Sequence, residues 1–184
     1  MSIVETILLF FVLLIILWFI FFAVTLVLWP IITGFKQAPY VPSFDAQLLL
    51  VKKYMKLEKW ASIVDLGCGD GKALRFFDKE FGLKGTGYDI NPFVVWYGRL
   101  SNRILWYPHI PLIRSHFKKA QLSRYDYIYI YLFPEHLISI EDWIFAHMKK
   151  DVIIISNSFF FVKHTPFDSI KDGRDKKIIY LYKK

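Results

Sequence analysis

Val64-Asp65-Leu66-Gly67-Cys68-Gly69-Asp70-Gly71 is the segment from which the fold of this chain can be worked out. Residues 61–66, most of which are apolar, predict a β-strand, and residues 71–81 predict a helix that begins at the end of the segment. The glycines between them let the backbone approach a ligand closely, because glycine has no Cβ and tolerates positive φ. In open α/β sheets, ligands lie beyond the carboxyl ends of the strands, where this turn is placed.

Strands and helices alternate on both sides of this turn. A helix is predicted at 44–57 with Ser43 as its N-cap, and the C-terminal residues predict a hairpin of strands 167–170 and 177–182 around Asp172-Gly173. The remaining strands are predicted at 84–89, 110–114, 125–132 and 152–156, and the remaining helices at 91–105 and 135–148. This order predicts an α/β fold with a mostly parallel sheet and a C-terminal antiparallel hairpin.

The N-terminal segment predicts a transmembrane helix. Residues 7–29 contain no charged side chain, and at about 1.5 Å per residue they span the roughly 30 Å hydrocarbon layer of a bilayer. A signal peptide and a buried core helix are the alternatives, but residues 1–5 lack the basic side chain that a signal peptide carries. We therefore expect an anchor at 1–35, a connector and helix at 36–58, and a domain at 59–184.

The charge distribution predicts on which side of the membrane the domain lies. All 24 Lys and Arg residues follow residue 35, together with 15 of the 16 acidic residues, which gives the later part a net charge of +9. The positive-inside tendency places such a domain in the cytoplasm. We interpret the charge as solubility and attraction to anionic lipid, about 1 kcal/mol per basic residue at the surface, rather than nucleic-acid binding.

Two negative predictions follow from the residue types. A single cysteine, Cys68, excludes a disulfide framework and a cysteine-rich metal site. No His/Cys/Asp cluster has the spacing of a zinc site, so we expect no metal. Cys68 itself is interpreted as a spacer in the glycine turn, because the sequence places no base beside it.

The spacing of the glycines distinguishes between cofactors. A dinucleotide fingerprint that began at Gly67 would need a third glycine where this chain has Lys72. The pattern Asp65-x-Gly67-x-Gly69-x-Gly71 instead resembles the first motif of class I methyltransferases, which have a Rossmann-like sheet. The resemblance implies S-adenosylmethionine as cofactor and S-adenosylhomocysteine as product, with Asp65 and the glycine turn, including Cys68, around the methionine moiety.

Asp89 is expected to bind the ribose of this cofactor. It ends the second predicted strand, and a carboxylate accepts hydrogen bonds from both ribose hydroxyls at once. The alternative is a surface helix cap ahead of Asn91. Ile90 and Asn91 belong to the same predicted cofactor site, with Ile90 against the adenine or, as the alternative, in the core.

Three segments carry a closer resemblance. Residues 87–99, Gly-Tyr-Asp-Ile-Asn-Pro-Phe-Val-Val-Trp-Tyr-Gly-Arg, together with 40–43 and 131–135, resemble the membrane-anchored protein lysine N-methyltransferases, which include the mitochondrial ATP synthase c-subunit lysine methyltransferase. The resemblance implies methyl transfer to a protein lysine, with Tyr40 and its connector closing the cofactor site. The chain departs from the family after the third strand, where residues 114–118 read Arg-Ser-His-Phe-Lys in place of an acidic or amide residue followed by aromatics. His116 could take over the contact to the adenine edge, although a lone exposed histidine is more often incidental.

The acceptor site is predicted in the loop after the fourth strand. Its candidates are Tyr131, Phe133, Pro134 and Glu135, with Asn157 after the fifth strand as a weaker candidate. Glu135 would orient or deprotonate the incoming ammonium, although a glutamate in the first turn of a helix is also favoured by the helix dipole.

The sequence leaves three functions open. The first is lysine methylation of a membrane or membrane-proximal protein, by an enzyme held in the bilayer through residues 7–29. The second is methylation of a lipid, quinone or other small amphiphile. The third is a membrane-tethered module that binds the cofactor without chemistry.

Overall fold

Residues 3–32, 45–173 and 178–184 are described by the computed structural model, and the chain divides into two compact units, Met1–Ala38 and Pro39–Lys184. Helix α1 (Ile3–Ile32) forms the described part of the first unit. Its segment Ile3–Thr25 is long and apolar enough to cross a membrane, judged by length and composition, and its side chains are exposed throughout. The predicted helix at 7–29 therefore lies within α1.

The second unit contains a seven-stranded sheet in the order β3-β2-β1-β4-β5-β7-β6. The five strands β1 to β5 are parallel, and β7 is antiparallel to both of its neighbours. The strands are β1 (Ser62–Leu66), β2 (Lys84–Asp89), β3 (Leu112–Arg114), β4 (Tyr127–Ile130), β5 (Ile153–Asn157), β6 (Asp168–Lys171) and β7 (Ile178–Lys183). The predicted parallel sheet with antiparallel C-terminal strands is confirmed, and β7, rather than β6, adjoins β5.

Helices cover both faces of this sheet. Leu48, Phe77 and Val95 bring α2, α3 and α4 into the core on one face, whereas Ile140 and Ile144 bring α5 into the core on the other. The helices are α2 (Asp45–Tyr54), α3 (Lys72–Phe81), α4 (Pro92–Ile104) and α5 (Pro134–His147), with 3₁₀ turns at Phe117–Lys119 and Leu122–Arg124. Each parallel connection is thus a crossover that buries one side of the sheet.

Several predicted elements are longer than the observed ones. The fourth strand was expected at 125–132, but Tyr125 closes a 3₁₀ turn by donating to the Leu122 carbonyl, so β4 begins at Tyr127. The third strand was expected from Ile110, whose N–H instead donates to the Tyr107 carbonyl in a turn. The helix predicted at 44–57 ends at Tyr54, and its predicted cap, Ser43, lies outside the described residues.

Candidate functional site

The glycine turn is held against the end of β2 by backbone hydrogen bonds. The N–H groups of Gly67 and Cys68 both donate to the Tyr88 carbonyl, at 2.8 and 3.1 Å. Gly67, Gly69 and Gly71 have φ values of 87°, 55° and 79°. Three left-handed residues at alternate positions reverse the chain between β1 and α3, as the glycine pattern predicts.

Gly67 also joins the glycine turn to the segment after β4. A Cβ added to Gly67 would lie 2.7 Å from Cδ2 of Leu132, which is closer than real side chains approach. Leu132 belongs to residues 131–135, which contain the predicted acceptor site. The predicted cofactor and acceptor sites are therefore neighbours at the carboxyl ends of β1 and β4.

Asp89 lies at the end of β2 with both carboxylate oxygens directed to backbone donors. Oδ2 accepts from the Gly69 N–H at 2.9 Å, and Oδ1 accepts from the Asn91 N–H at 2.8 Å. The cap of α4 is Asn91, whose Oδ1 accepts from the N–H groups of Phe93 and Val94. Asp89 is therefore not that cap, and each of its oxygens keeps an acceptor position for a hydroxyl donor.

A buried carboxylate lies beneath the turn. Asp65 is 3% exposed, and its pKa is raised well above the ordinary value of 3.8 by burial first and then by the negative charges of Asp89 and Asp70. Among the residues that the structure describes, none donates a hydrogen bond to the Asp65 carboxylate. A ligand with positive charge near Asp65 would lower the free-energy cost of ionising this carboxyl group.

Asp70, the third carboxylate, forms an ion pair within the protein. Its Oδ2 pairs with Nη2 of Arg75 at 2.9 Å, and Nη1 of the same guanidinium donates to Oδ1 of Asn102 at 2.8 Å. Nδ2 of Asn102 then donates to the Ile110 carbonyl. This brace ties the glycine turn to α4, and no periodicity in the sequence indicates it, because Asn102 lies 27 residues after Arg75 in the chain.

Three aromatic rings form a cluster at the carboxyl ends of β4 and β5. The ring of Phe159 stacks on Tyr131 with centroids 6.4 Å apart and lies 6.1 Å from Phe133. We call Tyr131, Phe133 and Phe159 the aromatic cluster. Burial raises the pKa of the Tyr131 phenol, so this side chain is neutral at physiological pH. Phe159 was missed in the sequence because it lies in a segment without periodicity.

Pro134 and Glu135 follow the cluster in the first turn of α5, and both are exposed. An exposed carboxylate at this position is accessible to an incoming side chain. It also fits the favourable interaction with the helix N-terminus. Both roles of Glu135 thus agree with its place in the fold.

Asn157 has a different environment from the other acceptor candidates. It is fully buried, its Nδ2 donates to the Tyr129 hydroxyl at 2.9 Å, and its Oδ1 accepts from the Ser158 hydroxyl at 3.0 Å. Nε2 of Gln47 donates to the same Ser158 hydroxyl at 2.7 Å, while buried Oε1 of Gln47 has no hydrogen-bond partner among the described residues. The side chain of Asn157 thus links α2 to β4.

The remaining predicted residues are placed as follows. Tyr40 lies outside the described residues. Burial, followed by the nearby carboxylates, raises the pKa of the Cys68 thiol, so Cys68 is not an activated nucleophile. His116, which follows β3, caps a 3₁₀ turn by accepting from the Lys118 N–H. Within 3–32, 45–173 and 178–184, no group of three His, Cys, Asp or Glu side chains is arranged to hold a metal.

Residues 65–168 match the family model described as the ANTKMT methyltransferase domain. The chain belongs to this family. The match begins at Asp65 in the glycine motif and ends in β6, so it includes the glycine turn, Asp89 and the aromatic cluster. The resemblance based on residues 64–71, 87–99 and 131–135 is thereby confirmed.

Relatives with a named activity match most of this domain. The chain is 28% identical over 141 residues to the ATP synthase c-subunit lysine N-methyltransferases of Xenopus laevis and Homo sapiens. The match covers 74% of this chain in both cases, and 60% and 58% of the respective relatives. The chain therefore spans about three fifths of the length of these relatives.

A solved structure shows the same fold. An RNA methyltransferase from Salinibacter ruber, crystallised with S-adenosyl-L-homocysteine, superposes with a TM-score of 0.71 at 17% identity. The superposition covers 78% of this chain and 93% of that chain. The methyltransferase fold predicted from the sequence is thus confirmed.

Proposed function

We propose that this protein is an S-adenosylmethionine-dependent protein lysine N-methyltransferase. One observation carries the proposal: the contact between Gly67 and Leu132 brings the glycine turn, with the carboxylates Asp65 and Asp89, next to the segment that carries Tyr131 and Phe133 of the aromatic cluster. A cofactor site and an acceptor site for a cationic side chain are then adjacent. Family membership and the named activity of the relatives support the same function.

The residues present fit the cofactor. Asp89 offers its carboxylate to the ribose hydroxyls, and Ile90, which is 39% exposed beside it, offers an apolar surface to the adenine. Asp65 supplies negative charge near the glycine turn, which complements the ammonium and sulfonium charges of the methionine moiety. When bound, S-adenosylmethionine supplies the methyl group on its sulfonium and leaves as neutral S-adenosylhomocysteine.

The aromatic cluster is proposed to hold the lysine. Ring faces attract an alkylammonium by cation–π interaction and pack against its methylene chain. Desolvation there lowers the amine pKa from about 10.4, which favours the neutral nucleophile. Glu135 accepts or directs the departing proton, and Pro134 shapes the entrance. Holding the amine in line with the methyl group supplies much of the catalysis.

We propose that α1 anchors the enzyme as a single membrane span, with the methyltransferase domain on the cytoplasmic side. The length and composition of α1 support the span. The basic residues that follow residue 35 support this orientation. The proposed partner is a membrane or membrane-proximal protein with an accessible lysine. The proposed function needs neither metal nor nucleic acid.

The test is incubation of the full-length protein with methyl-labelled cofactor and membranes from cells that lack its gene. Label in protein, mapped to methyllysine by peptide mass spectrometry, is the expected result. Label in the lipid extract would indicate that the substrate is a small amphiphile and not a protein lysine. Tight cofactor binding without transfer of label would indicate a binding module. Asp89→Ala is the control and should leave the membranes unlabelled.

A further inference from the structure

Helix α4 is apolar on the side that faces away from the core as well as on the side that faces it. Its buried side carries Val95, Gly98 and Asn102, which pack toward the sheet and the glycine turn. The opposite side carries large apolar and aromatic side chains that are exposed: Phe93, Trp96, Tyr97, Leu100 and Ile104. We call these five residues the exposed α4 face.

The exposed α4 face is continuous. At 3.6 residues per turn, the spacing of its five members confines them to an arc of about 100° along the helix. The turn after the helix extends the surface with Leu105 and Trp106, and the Trp106 side chain is 86% exposed. A contiguous apolar surface of this kind on a folded domain marks a site of interaction.

The charges on α4 and in the segment that follows it favour one kind of occupant for this surface. No Asp or Glu occurs between Ile90 and Tyr125, whereas this range contains six basic residues. All six are exposed, and none forms an ion pair with a described residue: Arg99, Arg103, Arg114, Lys118, Lys119 and Arg124. Arg99 and Arg103 lie on α4 beside the exposed face, whereas the other four basic residues follow the helix along the chain. The helix that carries this apolar, aromatic surface is therefore positively charged, and the same stretch of chain contains no acidic residue.

We propose that the exposed α4 face lies on the surface of an anionic lipid bilayer, with its aromatic side chains in the interface and the flanking arginines at the headgroups. Tryptophan and tyrosine favour the membrane–water interface, and arginine attracts anionic headgroups. A second copy of this chain fits less well, because both copies would bring the same positive charge to the contact. The chain also contains α1, which is long and apolar enough to span a bilayer.

The position of this surface has a consequence for the site. Helix α4 begins at Pro92, three residues after Asp89 at the carboxyl end of β2. The cap of the helix, Asn91, donates its N–H to the Asp89 carboxylate. A bilayer that contacts Phe93 and Trp96 therefore lies beside the edge of the candidate cofactor site. The proposal concerns lipid contact alone and does not depend on which molecule is methylated.

The test uses full-length protein in vesicles, with a thiol-reactive fluorophore at Trp96→Cys or Leu100→Cys. The native Cys68 is buried and is not expected to react. The matched control is Ile138→Cys, an exposed position on α5, which covers the other face of the sheet. Lipids with a spin label near the headgroup quench a fluorophore that lies at the interface.

Quenching several-fold stronger at positions 96 and 100 than at 138, in phosphatidylcholine vesicles that contain phosphatidylserine, supports the proposal. Equal quenching at the three positions overturns it. Arg103→Glu in the labelled variants should weaken the quenching more than Lys150→Glu, an exposed control on the α5 side. Energy transfer between labelled copies that persists in detergent would assign the surface to self-association and would also overturn the proposal.

Discussion

The two halves of the candidate site are built in different ways. The proposed cofactor half consists of the glycine turn and Asp89, which are joined at the ends of adjacent strands by hydrogen bonds from backbone N–H groups of the turn. The proposed acceptor half consists of the aromatic cluster, which is held by ring contacts between segments after β4 and β5. The first arrangement fixes one ligand geometry, whereas the second tolerates changes in side-chain shape. Mutations should therefore affect the two halves by different amounts.

The largest effect is expected for Asp89→Ala. The variant loses the proposed bonds to two ribose hydroxyls and leaves the Gly69 N–H without its acceptor. Hydrogen bonds to a charged group contribute about 1.5–3 kcal/mol each, so cofactor affinity should fall about 100-fold or more. Calorimetry with S-adenosylhomocysteine measures this, and Asp142→Ala, an exposed carboxylate paired with Lys163, is the control. Unchanged affinity would remove Asp89 from the site.

Gly67→Ala tests the contact between the two halves. The left-handed φ of 87° and the overlap with Leu132 should together reduce the free energy of unfolding by about 2–4 kcal/mol. Thermal unfolding of the full chain in detergent measures the change. Gly173→Ala is the matched control because no described residue lies within 4 Å of its added Cβ.

The double variant Gly67→Ala with Leu132→Ala separates the two causes. It should be more stable than the sum of the single effects, because the overlap is relieved while the φ strain stays. Strict additivity would contradict a direct contact between the two halves.

Glu135→Gln should slow turnover and leave cofactor affinity unchanged. Glu135 is exposed, so we expect a smaller loss than the roughly 100-fold that general bases in enclosed sites supply. Single-turnover kinetics with labelled cofactor measures the step. An unaltered rate would leave Glu135 with its helix-dipole role alone.

Phe159→Leu should weaken use of the protein substrate rather than the cofactor. Loss of ring contacts with Tyr131 and Phe133 costs about 1 kcal/mol, or about fivefold in kcat/KM. The neighbouring Phe160→Leu is the control, since Phe160 contacts Tyr180 instead. Equal effects of the two variants would argue against the aromatic cluster as the acceptor site.

The smallest effect is a dependence of cofactor affinity on pH. The raised pKa of Asp65 means that the folded protein binds this proton more tightly than the unfolded chain does. The contribution of this proton to the free energy of unfolding is thus present at low pH. It is lost as the pH rises from the ordinary pKa of an aspartate through the raised pKa of Asp65. A positively charged cofactor favours the ionised carboxylate, so affinity should rise with pH over the same range.

Asp65→Asn should flatten this pH dependence, and calorimetry across a pH series that begins near the ordinary pKa of an aspartate and extends upward measures it. A slope that persists in Asp65→Asn would assign the proton to another group.

The cofactor half could be predicted from the sequence because its parts are consecutive or nearly so. Gly67, Gly69 and Gly71 form the turn through local backbone conformation, and Asp89 ends the next strand along the chain. The acceptor half could be predicted only in part. Phe159 follows β5 and meets Tyr131 only after β4 and β5 pair, while Asn157, expected near the substrate, is buried against Tyr129.

Periodicity, spacing and segment length were enough to predict the parallel sheet, the glycine turn and the apolar N-terminal helix, because each depends on residues close together in the chain. Three other features are determined only by long-range packing. They are the position of β7 beside β5, the brace from Asp70 through Arg75 to Asn102, and which side of α4 is buried. Residues 92–104 are apolar on two sides, and periodicity does not tell which side the sheet will cover. Packing of Val95 and Gly98 determines that, and it leaves Phe93, Trp96 and their neighbours exposed.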